Sequence, residues 1–230
     1  MHDFTGRVVL ITGASGGLGE GVTEAFLNAG ATVAGVARHW RGKAPKGRFH
    51  AVEADLSTPR ACREAVERVL REARWIDVVL HLMGGYTGGR AVQDTDDAAW
   101  DGMLSINLHS AFYAVRAALP ALLAQGQGRI IAIGSRAGVE PGAGSVAYNV
   151  AKAGLHALVK TAAAEVSGTG VTVNAVLPSI IDTPANRAAM PKADFSKWVA
   201  PASIASLLLW LASGESRDVN GAVIPIYGQA

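Results

Sequence analysis

The sequence predicts an α/β fold, a doubly wound parallel sheet of about seven strands with helices on both faces. Short apolar runs of strand length alternate with helix-length segments along the whole chain, as expected for repeated strand–helix units. Half of the 230 residues are hydrophobic and 17% are charged, which favours a buried sheet over a disordered or fibrous chain. No linker, internal repeat or low-complexity tract interrupts this alternation, so we expect one domain over residues 1–230.

The hydrophobic pattern places the elements in order. Strands are expected at Val8–Thr12, Thr32–Ala37, Phe49–Glu53, Ile76–Leu82, Arg129–Ile133, Val171–Leu177 and Ala222–Ile226. Helices are expected at Leu18–Asn28, Thr58–Glu72, 96–123 (as one helix or two), Tyr148–Val166 and Ser203–Ala212. The segment 182–201 is the longest without a regular pattern, and we expect it to be a substrate-binding loop because long loops in compact domains are usually functional.

Composition and charge exclude several classes of partner. The chain has 21 basic and 19 acidic residues, a near balance that gives no reason to expect nucleic-acid or membrane-surface binding. Cys62 is the single cysteine, so neither an internal disulfide nor a cysteine-rich metal site is expected, and a reducing, cytoplasmic location fits. No apolar run has the length of a membrane span, and the N-terminal residues do not have the pattern of a signal peptide.

A glycine-rich turn lies between the first strand and the first helix. Glycines allow a tight turn and a close approach to a pyrophosphate, and the helix N-terminus offers N–H groups to the anion. An ordinary strand-to-helix turn has a similar composition, but the position after the first strand favours a dinucleotide site of the Rossmann type. The residues expected to bind the cofactor here are Gly13, Ser15, Gly16, Gly17, Leu18 and Gly19.

The end of the second strand bears on the choice of cofactor. In dinucleotide-binding folds an acidic residue there binds the adenosine ribose, whereas an arginine accommodates a 2′-phosphate. Here Ala37 takes the acidic position and Arg38 follows it, with Arg41 or Lys43 nearby. This arrangement favours NADP(H) over NAD(H), although a solvated basic loop would have the same sequence.

Tyr148 and Lys152 are four residues apart on a predicted helix, so their side chains lie on one face. An ammonium group near a phenol stabilises the phenolate, and we therefore expect Lys152 to lower the pKa of Tyr148. A tyrosine adjusted in this way exchanges protons more readily at neutral pH. Because such pairs are common on helix surfaces, the spacing alone does not establish a catalytic role.

Four features occur together and in order: Thr12-Gly-Ala-Ser-Gly-Gly-Leu-Gly19, Asn107, Ser135 and Tyr148-Asn-Val-Ala-Lys152. With them the chain resembles the short-chain dehydrogenase/reductase family, classical type, over essentially its whole length. The resemblance implies that Tyr148 is the general acid in carbonyl reduction and that Lys152 lowers its pKa and binds the nicotinamide ribose. It also implies that Ser135 hydrogen-bonds the substrate oxygen and that Asn107 holds a water linking Lys152 to solvent.

The same resemblance assigns further residues to the cofactor. It implies that Asp55 and Leu56 lie by the adenine, and that the Ile181 backbone and the Thr183 side chain hold the carboxamide and the phosphates. Gly84 and Pro178 belong to the same expected binding surface. One departure is His81-Leu82-Met83-Gly84, where the family usually has Asn-Asn-Ala-Gly, and we expect His81 to be a structural histidine.

Two segments resemble the dihydropteridine reductases, members of the same family: Gly84–Gly89, and Asp182–Trp198 in the expected substrate loop. Those enzymes lack the serine that Ser135 supplies, so Ser135 favours general carbonyl chemistry. The residues expected to line the substrate pocket are Tyr86, Asn186, Met190 and Trp198. Packing of the loop against the core is the alternative role for its aromatic side chains.

The sequence therefore predicts an NADP(H)-dependent oxidoreductase that transfers a hydride between the nicotinamide and a small carbonyl or alcohol. Two alternatives stay open: reduction of a quinonoid pterin, and an NADP-binding regulatory or scaffold protein without catalysis. The resemblance also implies a homodimer or homotetramer formed through the helices that carry Asn107 and Tyr148. Alanine-rich faces on those helices suit such contacts, but they suit packing within one chain equally well.

Overall fold

A computed structural model of the chain describes residues 2–40, 45 and 47–229. In these residues seven parallel strands form one sheet in the order β3-β2-β1-β4-β5-β6-β7, which confirms the predicted fold class. The strands are β1 (Val8–Thr12), β2 (Thr32–Ala37), β3 (Phe49–Glu53), β4 (Val78–His81), β5 (Gly128–Ile133), β6 (Val171–Pro178) and β7 (Val223–Ile226). The first three have the predicted bounds, whereas β4 is shorter than the predicted Ile76–Leu82.

Helices cover both faces of the sheet. Those in the described residues are α1 (Gly17–Asn28), α2 (Pro59–Ala73), α3 (Asp97–Leu104), α4 (Ser110–Gln125), α5 (Val146–Glu165), α6 (Pro184–Ala189) and α7 (Pro201–Ala212). Buried side chains of α2, α4 and α5, among them Val66, Leu122 and Leu155, pack on one face. Phe26 of α1 and Leu208 of α7 pack on the other, so the core is two apolar layers with the sheet between them.

The segment 182–201 is more regular than its sequence suggests. It contains α6 and a 3₁₀ turn at Phe195–Lys197, so the expectation of a wholly irregular loop was wrong. Thr183 starts the helix, because its hydroxyl accepts a hydrogen bond from the Asn186 backbone N–H at 3.3 Å and Pro184 follows in the first turn. Hydrogen bonds from Val199 N to Ile180 O and from Asp182 N to Val199 O, both 2.9 Å, join the two ends of the segment.

The strand order places a crevice at one edge of the sheet. From β1 the chain proceeds outward to β2 and β3, and then returns to the other side of β1 for β4 to β7. The helices that follow β1 and β4 therefore lie on opposite faces, and they separate at the carboxyl ends of these two strands. Open α/β sheets bind their ligands at such a switch point.

His81, at the end of β4, is buried among polar partners at this edge. Its Nδ1 lies 3.0 Å from the Thr12 hydroxyl and its Nε2 lies 3.3 Å from the Ser110 hydroxyl. Because Ser110 Oγ already donates its proton to Ile106 O at 2.8 Å, it accepts from His81, which places the imidazole proton on Nε2. His81 thus links β1, β4 and α4 as a neutral ring, the structural role expected for it.

Two kinds of site are not found in this part of the chain. Within residues 2–40, 45 and 47–229, no helix is long and apolar enough to cross a membrane. The same residues contain no group of three or more histidine, cysteine, aspartate or glutamate side chains that could hold a metal ion.

We predict that His81 makes folding stability depend on pH. Burial, reinforced by the charge of Lys152, lowers the pKa of His81 from its ordinary 6.5 to about 3. Below pH 6.5 the imidazole of the unfolded chain therefore binds a proton, whereas that of the folded chain stays neutral down to about pH 3. The free energy of unfolding therefore falls as the pH drops through this window. Between pH 7 and pH 5 the His81→Asn variant should lose about 2 kcal/mol less free energy of unfolding than the wild type.

Urea unfolding at the two pH values measures this difference. Asparagine removes the titrating group while retaining a donor and an acceptor for Thr12 and Ser110. Equal losses in both proteins would show that His81 does not carry the effect.

Candidate active site

A cleft of about 320 Å³ opens at the carboxyl ends of β1 and β2, beside the switch point of the sheet. Its lining residues are Gly13, Ser15, Gly16, Val36, Ala37, Arg38, His39, Ala54, Leu56, Leu82, Met83, Gly84 and Ile106. Most of them lie at or just beyond the ends of β1, β2, β3 and β4, because parallel strands bring their carboxyl ends to one edge, and Ile106 comes from the segment between α3 and α4. The cleft has the position and the glycine-lined wall that the adenosine half of a dinucleotide needs.

The glycine-rich turn owes its shape to two positions. Gly13 has φ +70°, and a Cβ there would lie 2.9 Å from Met83 N, so a side chain is excluded by both conformation and space. A Cβ on Gly19 would lie 2.2 Å from Gly13 O, so α1 packs directly against the turn that precedes it. Together they bring the N-terminus of α1 to the floor of the cleft, where its N–H groups favour an anion.

The predicted cofactor residues divide into two groups. Six line the cleft: Gly13, Ser15, Gly16, Arg38, Leu56 and Gly84. Leu18 is buried in the apolar layer beneath α1, so its side chain and Gly19 shape the turn rather than line the cleft. The Asp55 carboxylate accepts a hydrogen bond from Ser57 N at 3.0 Å and so orders the turn next to Leu56.

The far end of the cleft carries the guanidinium group of Arg38. Arg38 and His39 both line it, and Ala37 leaves it without a carboxylate at the end of β2. The His39 imidazole faces Glu53, with 3.6 Å between Nδ1 and Oε1, and the Ser15 hydroxyl donates to His39 O at 3.3 Å. Arg41 and Lys43, which the sequence also offered, lie outside the described residues. The sequence interpretation overlooked His39, although it directly follows Arg38.

Asn107 and Lys152 meet at the loop that follows β4. The Asn107 side chain is fully buried, accepts a hydrogen bond from Gly85 N at 3.2 Å and donates one to Gly85 O at 2.9 Å. The Lys152 ammonium donates to Ile133 O at 2.8 Å. A Cβ on Gly84 would lie 3.0 Å from Asn107 Oδ1 and 3.5 Å from Lys152 Nζ, so this glycine lets the two side chains converge.

A break in regular helix geometry positions Asn107. Residues Ser105–His109 form a π-helical turn between α3 and α4, and Asn107 lies at its centre. Such turns are rare and are frequent at functional sites. The sequence predicted one or two helices over 96–123 and gave no sign of this turn.

Ser135 and Tyr148 complete the group. Ser135 lies two residues beyond β5, at the start of a 3₁₀ turn, and its side chain is hydrogen-bonded to the Tyr148 hydroxyl. Its Oγ also accepts a hydrogen bond from Ala137 N at 3.2 Å. The Lys152 ammonium lies 5.8 Å from the centre of the Tyr148 ring. The structure thus brings all four predicted catalytic residues together at the carboxyl edge of the sheet, next to the cleft.

The pKa of Tyr148 differs in direction from the sequence expectation. Burial raises the pKa of Tyr148, and the hydrogen bond with Ser135 offsets part of that rise. Lys152 is itself desolvated, which lowers its pKa from 10.5 to about 8 and weakens the positive charge available to the phenolate. Tyr148 is therefore a protonated phenol at neutral pH.

The predicted substrate-pocket residues do not share one role. The Tyr86 ring packs edge-on against Tyr148 with 5.1 Å between centroids, and its hydroxyl lies 2.9 Å from Ser145 Oγ. Trp198 is buried against Phe195, with ring centroids 4.8 Å apart, so these aromatic side chains pack the loop. The Asn186 amide donates to Ile181 O at 2.8 Å, and Met190 is 36% exposed. Of the four, Tyr86 contacts one of the predicted catalytic residues, Tyr148.

The segment 182–201 packs against the glycine-rich turn. A Cβ on Gly17 would lie 3.1 Å from Thr183 Cβ, so the start of α6 faces the start of α1. Pro178 ends β6 at the same edge, and Ile181 pairs with Val199 to hold the loop there. Thr183 and Ile181 are therefore placed beside the region where the pyrophosphate and nicotinamide are expected.

One buried histidine escaped the sequence interpretation. His156 lies one helical turn beyond Lys152 on α5, and its Nε2 accepts a hydrogen bond from Ser135 N at 3.4 Å. Its spacing of four from Lys152 and eight from Tyr148 was the available signal, because such residues share a helix face.

A sequence model of the short chain dehydrogenases matches residues 7–194. The chain belongs to the short-chain dehydrogenase family. A 3-oxoacyl-(acyl-carrier-protein) reductase FabG of Thermotoga maritima is 30% identical over 239 aligned positions, covering 97% of each chain. Nodulation protein G of Azospirillum brasilense is also 30% identical, with coverage of 96% of this chain and 97% of the relative.

The chain is also similar to solved structures of dehydrogenases and reductases. Levodione reductase superimposes with a TM-score of 0.91 at 25% identity, covering 98% of this chain and 97% of that one. The aldohexose dehydrogenase of Thermoplasma acidophilum gives a TM-score of 0.89 at 25% identity, covering 99% and 94%. The chain is an NAD(P)-dependent oxidoreductase that acts on CH–OH and C=O groups of small molecules.

Proposed function

We propose that this short-chain dehydrogenase is an NADP(H)-dependent reductase of a small carbonyl compound, in which Asn107, Ser135, Tyr148 and Lys152 carry the catalysis. The observation that carries the proposal is the convergence of these four side chains beside a cleft with Arg38 at its far end. The four residues come from three different elements and meet at one edge of the sheet. A tyrosine and a lysine paired on a helix surface would lack the other two partners.

Tyr148 would act as the proton donor. When bound, the nicotinamide supplies the hydride that reduces the substrate carbon. The raised pKa keeps Tyr148 protonated at neutral pH, so its hydroxyl can give a proton to the carbonyl oxygen. Ser135 Oγ, hydrogen-bonded to that hydroxyl, is placed to hold the same oxygen and to stabilise its developing charge. A protonated phenol suits reduction better than oxidation near pH 7.

Lys152 and Asn107 would support this proton transfer. The buried ammonium group favours the phenolate that forms as Tyr148 loses its proton. Asn107 holds the Gly84–Gly85 backbone against Lys152, which keeps the ammonium group at the site. The water expected between Lys152 and solvent is part of this proposal.

The preference for NADP(H) over NAD(H) rests on the wall of the cleft. Arg38 lines it where the adenosine ribose of a Rossmann-type site is held, and Ala37 supplies no carboxylate to bond ribose hydroxyls or to repel a phosphate. An arginine fork binds a phosphate through paired hydrogen bonds, so it discriminates more strongly than a diffuse positive charge.

Ser135 and the names of the relatives support a carbonyl compound as the substrate. Their names specify 3-oxoacyl, dione and sugar substrates, all of which react at a carbonyl or alcohol carbon. A quinonoid pterin is the second candidate, favoured by the sequence of the loop Asp182–Trp198. Reduction of a pterin occurs at ring nitrogens and has less need of a serine beside the tyrosine, so Ser135 favours the carbonyl.

Assembly and location complete the proposal. Phe112 and Leu123 of α4 and Val150 of α5 are each at least 40% exposed, which suits a homodimer or homotetramer formed through these helices. A cytoplasmic location fits the single cysteine of the sequence, Cys62.

We predict that Tyr148→Phe lowers kcat/KM for NADPH-dependent carbonyl reduction by about 10²- to 10⁴-fold, because the proton donor is lost. The Kd for NADPH should change little, since the ring is retained. Steady-state rates over a panel of ketones, aldehydes and quinonoid dihydropterin, with NADPH fluorescence titration, measure both quantities. Wild-type protein that binds NADPH but turns over no member of the panel would contradict the proposal, and activity on the pterin alone would favour the second candidate.

We also predict that Arg38→Ala weakens NADPH binding by about 10- to 100-fold and leaves NADH binding nearly unchanged, because only NADPH carries the 2′-phosphate. Arg60→Ala, on the exposed start of α2, is the matched control and should alter neither Kd. Isothermal titration with both cofactors gives the ratio. An equal loss of affinity for the two cofactors, or no loss, would show that Arg38 does not bind the 2′-phosphate.

A further inference from the structure

We propose that His156 is a positioning residue that holds Ser135 in the orientation needed for proton transfer. The inference rests on the proposed function of Ser135 and adds a residue that the family resemblance did not supply. It is carried by a backbone hydrogen bond, by two glycines that make room for the ring, and by a buried nitrogen without a partner.

His156 lies directly behind the catalytic group. Tyr148, Lys152 and His156 follow one another at intervals of four on α5, so they form one stripe that faces the end of β5. The His156 side chain is 5% exposed, and its Nε2 accepts a hydrogen bond from Ser135 N at 3.4 Å. Ser135 N lies two residues beyond the end of β5, where the sheet provides no ladder partner for it.

Two glycines leave the space that the imidazole fills. A Cβ on Gly134 would lie 2.5 Å from His156 Nε2, and a Cβ on Gly138 would lie 2.5 Å from His156 Cε1. These glycines flank Ser135 and the turn that follows it, and Gly138 N donates back to Ser135 O at 3.0 Å. The ring therefore supports the whole Ser135–Gly138 turn from below, and larger residues at 134 or 138 would displace it.

The protonation state follows from the hydrogen bond. Nε2 needs a lone pair to accept from Ser135 N, so the neutral ring carries its proton on Nδ1. Nδ1 is buried and has no hydrogen-bond partner among the residues that the structure describes. A buried donor without a partner is unfavourable for folding. The hydrogen bond that Nε2 accepts from Ser135 N is the polar contact that offsets this cost. Burial, together with the positive charges of Lys152 and Lys160, lowers the pKa of His156 to about 4, which keeps the ring neutral.

Holding Ser135 N controls the direction of its hydroxyl. Ser135 has an extended backbone, and its Oγ is shared between Ala137 N and Tyr148. If Ser135 N were released, the residue could rotate toward solvent and its Oγ would leave Tyr148. An apolar side chain of similar size would fill the space under the turn but would not fix this orientation.

The kinetic test compares two substitutions of similar size. His156→Gln keeps an acceptor close to the position of Nε2, whereas His156→Leu does not. We expect His156→Leu to lower kcat for carbonyl reduction about tenfold with a less than twofold change in the Kd for NADPH, and His156→Gln to stay within about threefold of the wild type. In a Ser135→Ala background, His156→Leu should cost less than twofold, because the residue it positions is already gone. The same loss in both backgrounds would show a general structural role and overturn the proposal.

A spectroscopic test does not depend on activity. The ¹⁵N shifts of the imidazole rings in the intact NADPH complex should show His156 as the neutral Nδ1–H tautomer between pH 6 and pH 8. His81 is the internal control, since its contacts require the opposite tautomer, Nε2–H. An Nε2–H tautomer or a charged ring at His156 would overturn the proposal. Because the tautomer reports on the contact between His156 and Ser135 whether or not a carbonyl compound is reduced, failure of this contact is distinguished from failure of the proposed function.

Discussion

The ammonium group of Lys152 is buried at the carboxyl edge of the sheet, where the residue is 4% exposed. A buried charge is unfavourable unless a polar group compensates it, and Ile133 O at the end of β5 accepts a hydrogen bond from this ammonium group at 2.8 Å. The Asn107 side chain, from the π-helical turn before α4, approaches the same glycine, Gly84, as the ammonium group does. The geometry of the site depends on these groups meeting at one point, and Gly84 leaves the space for them to do so.

Burial of the site shifts the pKa values of Lys152 and Tyr148 in opposite directions. Burial lowers the pKa of Lys152 toward neutrality and raises the pKa of Tyr148, so the pair consists of a weakened ammonium and a protonated phenol. Together with the positive charge of Lys152, burial also keeps His81 and His156 neutral. The two histidines act as fixed hydrogen-bonding groups, one for Thr12 and Ser110 and one for Ser135, and add no charge that would oppose that of Lys152.

The sequence predicted the elements whose signals are local. β1 and β2 have the predicted bounds because each is a short, largely apolar run followed by a glycine or a charged residue, and the more polar β3 also has its predicted bounds. α6 was missed because six residues are too few to show helical periodicity, and the start at Thr183 became clear only from its hydrogen bond. The direction of the Tyr148 pKa was wrong because it depends on burial, which spacing along a helix does not reveal. His156 was missed because its partner, Ser135 N, is brought to it by the fold.

The pH dependence of carbonyl reduction tests the role of Lys152 most directly. With wild-type protein and saturating NADPH, we expect kcat to fall as the pH rises through about 8, where the Lys152 ammonium loses its proton. Tyr148 does not cause this fall, because its pKa is raised above the ordinary value of 10. In Lys152→Arg the charge persists, so the decline should move to higher pH even if the absolute rate is lower. A wild-type rate that stays constant to pH 10, or the same decline near pH 8 in the arginine variant, would contradict the account.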